Sequence, residues 1–328
     1  MPDELSRWAA KRAPELVARA EAEAIEELKR ALLYAAVPKR TAAVPKRPGP
    51  TPAAPKAPPA GEGVWAYCVA RAADPLPERL AGVHTGSAVE RVEDGTLAAL
   101  ISRVPLAEFG EEPLRGNLND FAWLERVARS HEAVLEQALA DAAIVPLRLC
   151  TIFDDDRGVL RMLEEQRGPL DAALGALAGR QEWGVKLLVD GGALEAAARE
   201  HSADADALEE ELEARTEGGA YMLRRRLDRH LRETADRLAA GLAEDVHARL
   251  QDWATDAVVN APQSRELSGH EGEMLLNAAY LVETGKVQRL HELVGELQEQ
   301  HRDLGARLEL TGPWPPYNFV PRSDNALA

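Results

Sequence analysis

A stretch rich in proline and alanine, residues 37–63, constrains the fold of this chain more than any other feature. Proline fixes φ and lacks a backbone N–H, so a run of prolines is excluded from helix interiors and from the centre of a sheet. Val-Pro-Lys-Arg occurs twice in the stretch, at residues 37–40 and 44–47, and makes it basic. We therefore expect a semi-extended linker, followed by a folded body that begins at Val64.

Residues 1–36, which precede the linker, have the pattern of an amphipathic helix. Apolar residues recur at steps of three and four, and the composition is dominated by Ala, Glu, Lys and Arg, which favour helix. Pro14 is expected to interrupt or kink this helix. The segment is interpreted either as a mobile appendage or as a short docking helix for a partner. The recurring apolar residues are Leu5, Trp8, Ala9, Leu16, Ala20, Ala24, Leu28 and Leu32.

Charge is unevenly distributed along the 328 residues, whose formal net charge is −16. Residues 1–60 contain 11 Lys and Arg against 7 Asp and Glu, whereas the remainder contains 28 against 48. An acidic body repels nucleic acid phosphates, so we expect no nucleic acid partner. No apolar run approaches the about 18 residues of a transmembrane helix, and the first residues lack the pattern of a secretory signal. We therefore expect a cytoplasmic protein without a membrane partner.

Residues 64–180 have the pattern of one α+β module. Asp94-Gly95 is a strong signal for a hairpin turn, and Asn119 is expected to cap the helix that follows. Phe121 is expected on the buried face of that helix. In chain order we predict a strand at 64–70, a β-hairpin over 88–104, a helix at 120–142 and a buried strand at 144–153. This order predicts a ferredoxin-like α+β sandwich with a reduced first helix.

Cysteine and aspartate residues near the ends of this module raise the question of redox or metal chemistry. Cys68 and Cys150 fall on the first and last predicted strands, which are neighbours in that topology. We interpret them as reduced thiols that pack in the core, because no CxxC or Cys/His cluster accompanies them. The aspartate triplet at 154–156 precedes a helix predicted at 157–177 with a break at Gly168-Pro169. Its carboxylates are interpreted as helix-capping groups, with a divalent cation site as the alternative.

Residues 181–312 repeat the pattern with an elongated first helix. A break or bend of that helix is expected near Gly218-Gly219. In chain order we predict a strand at 183–189, a helical region at 204–253, strands at 257–260 and 273–282, a helix at 287–304 and a closing strand at 306–310. The predicted fold class is therefore α+β, with two ferredoxin-like (βαββαβ-type) modules in tandem. They are preceded by the N-terminal helix and linker and followed by an extended tail at 313–328.

A dense basic patch lies within the acidic body. It consists of Arg224, Arg225 and Arg226, followed by Arg229 and Arg232, on the long predicted helix. One interpretation is a solvated helix face whose arginines pair with nearby acidic residues. The other is a clamp for carboxylates, since the guanidinium fork binds them in bidentate fashion.

Signatures of catalysis and of cofactor binding are missing from the sequence. The eight histidines are scattered, and HExxH, GxSxG and P-loop motifs are absent. We therefore predict that the chain is not an enzyme and that it needs no cofactor or metal.

The C-terminal tail is stiff and aromatic, because residues 311–319 read Thr-Gly-Pro-Trp-Pro-Pro-Tyr-Asn-Phe. Large apolar side chains gain by burial, so Trp314, Tyr317 and Phe319 are expected to dock. Two interpretations remain open: an internal clasp that holds the two modules together, and a binding segment for a partner.

Several segments, taken together in this order, resemble the gas vesicle protein GvpF/GvpL family, and the tail motif is the most specific of them. The resemblance covers residues 64–320 and leaves the N-terminal helix and linker outside the usual family core. The segments that carry it, besides residues 311–319, are 145–148, 182–186, 218–226 and 276–282.

The resemblance implies a non-catalytic accessory protein of gas vesicle assembly, associated with gas vesicles. Its expected partners are the small hydrophobic shell protein and other gas vesicle accessory proteins. The alternative function is a small-ligand-binding regulatory protein built from paired ferredoxin-like modules. The candidate interaction residues are Tyr221, Arg224, Arg225, Arg226, Trp314, Tyr317 and Phe319.

Overall fold

A computed structural model describes residues 61–77, 79–214, 217–261 and 272–320, without the side chains of 217–219. The predicted N-terminal helix lies outside these residues, as does the predicted linker up to residue 60. The chain divides into two compact units. The first contains the described residues up to Arg180 and the segment from Pro315 onwards, and the second is Gln181–Trp314.

The first unit is a mixed α+β structure built on one antiparallel sheet. Its elements are β1 (Glu62–Arg71), β2 (Val89–Asp94), β3 (Leu97–Pro105), α1 (Leu106–Phe109), α2 (Glu111–Asn117), α3 (Phe121–Asp141), β4 (Ile144–Pro146), β5 (Ile152–Phe153), α4 (Asp156–Glu165) and α5 (Arg167–Leu177). The strand order is β2-β3-β1-β4, and β5 also pairs with β1. All pairings of this sheet are antiparallel. The central strand β1 is buried from Gly63 to Ala70, as expected of a strand covered on both faces.

The predicted hairpin is confirmed, with β2 and β3 joined by a tight turn. Asp94 pairs with Leu97, so two residues connect the strands. The first of them, Gly95, has a φ of +65°, which a side chain would disfavour. The local Asp-Gly signal therefore identified the hairpin, although the two connecting residues are Gly95 and Thr96 and not Asp94 and Gly95.

The continuous strand predicted at 144–153 is wrong. The structure has two short strands instead, β4 and β5, separated by a turn in which the Thr151 amide donates to the Arg148 carbonyl at 3.1 Å. Cys150 has a φ of +66°, a left-handed conformation that a ladder of strand hydrogen bonds does not accommodate. Cys68 and Cys150 are both free thiols that contribute to the first unit's core, and burial raises the pKa of each to about 12.

The start of α3 also differs from the prediction. Asp120, rather than Asn119, is the N-cap, and its carboxylate accepts from the amides of Ala122 and Trp123. Phe121, which was expected on the buried face, is 57% exposed. The apolar face presents Trp123, Leu124 and Val127 to the core, whereas Phe121 is the first residue of the helix and lies off that face.

The aspartate triplet at 154–156 supplies a helix cap and an ion pair. Asp155 is the N-cap of α4 and accepts from the Gly158 amide at 3.0 Å. Asp156 forms an ion pair with Arg103 at 2.7 Å. Within the part of the chain that the structure describes, no group of three or more His, Cys, Asp or Glu could hold a metal ion. The helix break predicted at Gly168-Pro169 lies at Gln166 instead, because proline is tolerated in the first turn of α5.

The second unit is also α+β and contains the second antiparallel sheet. Its elements are β6 (Arg180–Val189), α6 (Gly191–Glu200), α7 (Ala203–Glu213), α8 (Glu217–Gln251), β7 (Asp256–Val259), β8 (Glu273–Glu283), α9 (Val287–Gln300) and β9 (Ala306–Trp314). The strand order is β7-β8-β6-β9. Antiparallel ladders join β6 to β9 and β7 to β8.

Two elements of this unit were missed or misplaced. Helix α6 was not predicted, because Gly191-Gly192 at its start disfavours helix; Asp190 caps it and accepts from the Ala193 amide at 2.8 Å. The long helical region is interrupted, as expected, although the break lies between Glu213 and Glu217, just before the glycine pair.

Strand β9 is longer than predicted and continues through the Gly-Pro sequence to Trp314, which pairs with Glu182 across a bulge. Gly312 makes this continuation feasible, since its φ is +136°. A Cβ on Gly312 would lie 3.0 Å from the Glu182 carbonyl oxygen and 3.2 Å from the Trp183 ring. Glycine is therefore required both by conformation and by close packing.

Candidate interaction surface

Helix α8 has 35 residues, so at ~1.5 Å per residue it is ~52 Å long. Its C-terminal half belongs to the second unit's main core, where Leu242, Val246 and Leu250 are buried. Its N-terminal half packs against α7 in a separate small cluster. The buried members of that cluster are Ala205, Leu208, Leu227 and Leu231. The helix therefore has one half in the main core and one half in a two-helix arrangement with an exposed outer side.

The α7–α8 arrangement is held by polar contacts as well. Ser202 caps α7 by accepting from the Ala205 amide at 3.2 Å. The same hydroxyl lies 2.6 Å from Nε2 of His230 on α8. Both residues are close to the apolar cluster. Packing and hydrogen bonding therefore together determine which side of α8 faces solvent.

The outer side of α8 carries two apolar residues and three arginines. Tyr221 is 60% exposed and Met222 is 72% exposed, and Arg225, Arg229 and Arg232 are exposed as well. Spacings of three, four and seven residues place side chains on one side of a helix. We call these five residues the arginine face; it extends over ~16 Å of the helix.

Arg224 and Arg226, the other two arginines of the predicted patch, are exposed and flank the arginine face. Among the described residues, neither they nor Arg225 and Arg229 form an ion pair with an acidic side chain.

A surface cavity of about 300 Å³ lies on the arginine face and is lined by Arg225, Arg229, Arg232 and Glu233. The Nε of Arg232 donates to the Asp228 carbonyl at 3.0 Å, which orients that guanidinium along the helix. Three guanidinium groups with one carboxylate offer a net positive site, and Arg binds carboxylates with two parallel hydrogen bonds. The chemistry of the face suits an acidic, partly apolar polypeptide.

The three aromatic residues of the tail do not share one environment. Trp314 ends β9 in the second unit, is 45% exposed, and donates from Nε1 to Thr311 Oγ1 at 3.1 Å. Tyr317 belongs to the first unit, packs against its core, and donates from its hydroxyl to Glu132 Oε1 at 3.1 Å. Phe319 is half-buried. Tyr317 thus packs within the first unit, whereas Trp314 is accessible.

Burial changes the pKa of both partners in the tail contact. Burial raises the pKa of the Tyr317 hydroxyl, and the neighbouring Glu132 carboxylate raises it further. Burial also raises the pKa of Glu132, although the hydrogen bond from Tyr317 opposes the change. The hydroxyl therefore acts as a permanent donor to Glu132 near neutral pH.

Three exposed apolar residues of the second unit, Met222, Trp253 and Val259, were missed from sequence. Met222 directly follows the candidate Tyr221, and an apolar residue on a helix side rich in arginine is the signal that identifies it. Val259 is 56% exposed on β7, which is an edge strand of its sheet. No helix among the described residues is long and apolar enough to cross a membrane.

The fold and this surface define a two-unit α+β protein with an exposed, basic and partly apolar helix face. The sequence model of the family described as "Gas vesicle synthesis protein GvpL/GvpF" matches residues 63–321. The chain belongs to this family. Residues 1–62 lie outside the match.

Curated relatives and a solved structure agree with this assignment. Gas vesicle protein L of Streptomyces sp. (strain CB03234) is 39% identical over 260 residues, which cover 78% of this chain and 92% of that protein. Gas vesicle protein F of the same strain is 31% identical over 260 residues, covering 78% and 98%. The crystal structure of the gas vesicle protein GvpF from Anabaena sp. PCC7120 matches with a TM-score of 0.62 at 20% identity, covering 80% and 99%, and shows the same fold.

Proposed function

We propose that this protein is a non-catalytic accessory protein of gas vesicle assembly that binds the small hydrophobic shell protein. The observation that carries the proposal is the family match over residues 63–321, which takes in nearly all of the described chain. The relatives with the same extent are named gas vesicle proteins L and F. We further propose a cytoplasmic protein that associates with gas vesicles and with other accessory proteins of the same system.

The arginine face is the surface that we propose for shell protein binding. A shell subunit exposes apolar surface before it is incorporated, and exposed apolar surface aggregates unless it is covered. Binding sites of this kind combine a few large anchors with a charged rim, and Tyr and Arg are enriched among the residues that carry binding energy. Tyr221 and Met222 supply anchors, and the adjoining arginines supply the rim.

We also propose that each unit is a ferredoxin-like module, with the boundary at residues 180 and 181. In support, both sheets place the first strand of the unit between its third and fourth strands, as β2-β3-β1-β4 and β7-β8-β6-β9. Strand order of this kind is typical of the split βαβ arrangement.

Co-expression with the shell protein tests the proposal. We expect the shell protein to remain soluble and to co-purify with the wild-type chain. Replacing both anchors, Tyr221→Ala and Met222→Ala, is expected to reduce the co-purified amount about tenfold, the ratio for a loss of ~1.4 kcal/mol. Phe121→Ala, which removes an equally exposed aromatic residue from the first unit, is the matched control and is expected to bind as wild type. A shell protein that stays insoluble, and never co-purifies with the folded wild-type chain, would overturn the proposal.

A further inference from the structure

The N-terminal segment outside the family match is strongly patterned, and its acidic residues are concentrated. Residues 15–28 contain five glutamates and one arginine. Leu16, Ala20, Ala24 and Leu28 recur every four residues through the same stretch, which predicts an amphipathic helix with an apolar side. Such a helix gains by burying that side against another surface.

Most of the folded body repels an acidic helix, since residues 61–328 contain 28 basic against 48 acidic residues. The arginine face is an exception: three exposed guanidinium groups line one cavity beside two exposed apolar residues. An acidic helix with an apolar side and a basic helix face with apolar anchors are complementary in both charge and hydrophobicity.

We propose that residues 15–32 dock on the arginine face of the same chain. The glutamates of the segment pair with Arg225, Arg229 and Arg232, and its apolar side covers Tyr221 and Met222. Docking requires no shell protein, so the inference is independent of the proposed function.

The charge of the linker suits this contact. The linker carries five basic residues and no acidic one, and α7, which packs beside the arginine face, carries six acidic residues.

The α7 helix of a second copy is a weaker candidate for the same face. It is acidic, but its apolar residues Ala205 and Leu208 are already buried against α8 of its own chain. It therefore offers charge without an apolar side. Residues 15–32 offer both and are attached to the same molecule.

Hydrogen exchange of the full chain, followed by mass spectrometry, tests the docking. The test variant reverses the charge of the face, as Arg225→Glu, Arg229→Glu and Arg232→Glu. We expect the amides of residues 16–32 to exchange at least about tenfold faster in this variant than in the wild type, corresponding to ~1.4 kcal/mol of lost docking. The control reverses three exposed arginines elsewhere, Arg115, Arg129 and Arg302, whose surface ion pairs contribute little. The control is expected to exchange as wild type.

A charge swap separates docking from damage to the fold. Glu23→Arg, Glu26→Arg and Glu27→Arg alone are expected to release the segment, and combining them with the reversed arginine face is expected to restore slow exchange. Two results would overturn the proposal. One is exchange in wild-type residues 16–32 as fast as in the triple variant. The other is protection that rises with protein concentration, which would assign the face to a second copy.

Discussion

The two units share a strand order but differ in what their central residues do. In the first unit the core contains a polar aromatic group: Trp65 donates from Nε1 to His131 Nδ1 at 3.1 Å, and His131 stacks on Tyr67 at 5.3 Å between ring centroids. The core of the second unit is mainly aliphatic around Trp183 and Tyr280, whose hydroxyl lies 2.9 Å from Nδ1 of His247, and it holds only the C-terminal half of α8. The first unit thus buries a histidine completely among its aromatic rings, and the second presents a helix face to solvent.

The described part of the C-terminal tail from Pro315 onwards belongs to the first unit. Pro315 and Pro316 are buried, and Tyr317 completes the first unit's core although it follows the last strand of the second unit. The second unit is therefore an insertion within the sequence of the first. The stability of the first unit should respond to changes in the segment that begins at Pro315, and that of the second should not.

The largest effect is expected from Tyr317→Ala, which empties volume in the first unit's core and leaves Glu132 without its donor. We expect a loss of about 3 kcal/mol from the free energy of unfolding of the first unit. Tyr317→Phe keeps the ring and is expected to cost about 1 kcal/mol. Denaturant unfolding, with hydrogen exchange of β1 as the local readout, measures both. The exposed Trp314→Ala is the control, and a loss equal to that of Tyr317→Ala would contradict the account.

A comparable effect is expected from acid, again in the first unit. Burial lowers the pKa of His131 to about 4 from its ordinary value of 6.5. The unfolded chain therefore binds a proton below about pH 6.5 that the folded chain does not bind until about pH 4. The free energy of unfolding falls by about 3 kcal/mol as the pH drops through this window.

Unfolding measured at pH 7 and at pH 4.5, in the wild type and in His131→Phe, isolates this contribution. The variant is expected to lose the histidine's share of the pH dependence while keeping the share of the carboxylates. An unchanged pH dependence would show that the pKa of His131 is the same in the folded and the unfolded chain, which would contradict the lowered value.

The smallest effect is expected in the second unit, at Gly312. Alanine there must adopt a left-handed φ and displace the Glu182 carbonyl or the Trp183 ring, so Gly312→Ala is expected to cost about 2 kcal/mol. Gly241→Ala in α8, where a Cβ meets open space, is expected to stabilise the same unit by about 0.5 kcal/mol. The midpoint temperature of unfolding, followed by hydrogen exchange in β6, is expected to fall for Gly312→Ala and to rise for Gly241→Ala. Movement in the same direction would contradict the assigned role of Gly312.

The sequence was sufficient for features with a local cause. Asp94-Gly95 gave the hairpin, and the interruption of the long helical region was expected near Gly218-Gly219. Errors arose where a single backbone conformation or cap decided the outcome, as with Cys150 in the supposed strand and Asp120 at the start of α3. Neither a left-handed cysteine nor a choice between adjacent Asn and Asp has a signal in the sequence pattern.

The candidate site was predictable in part. The arginines formed an evident patch, but their exposure and the contribution of Met222 depended on which side of α8 packs against α7. The partner of Tyr317 is 185 residues away in the sequence, so its internal contact with Glu132 could not be assigned before the fold was known. Long-range contacts of this kind depend on the whole fold and carry no local pattern.

We propose that the second unit carries the surface that binds the shell protein. Site-specific photo-cross-linking in vesicle-forming cells tests it most directly, with a photoreactive amino acid placed at Met222 on the arginine face or at Phe121 on the first unit. Both positions are exposed, so a photoreactive group at either one can reach a bound partner. The account predicts a cross-link to the shell protein from position 222 and none from position 121. A cross-link from position 121 alone would contradict it.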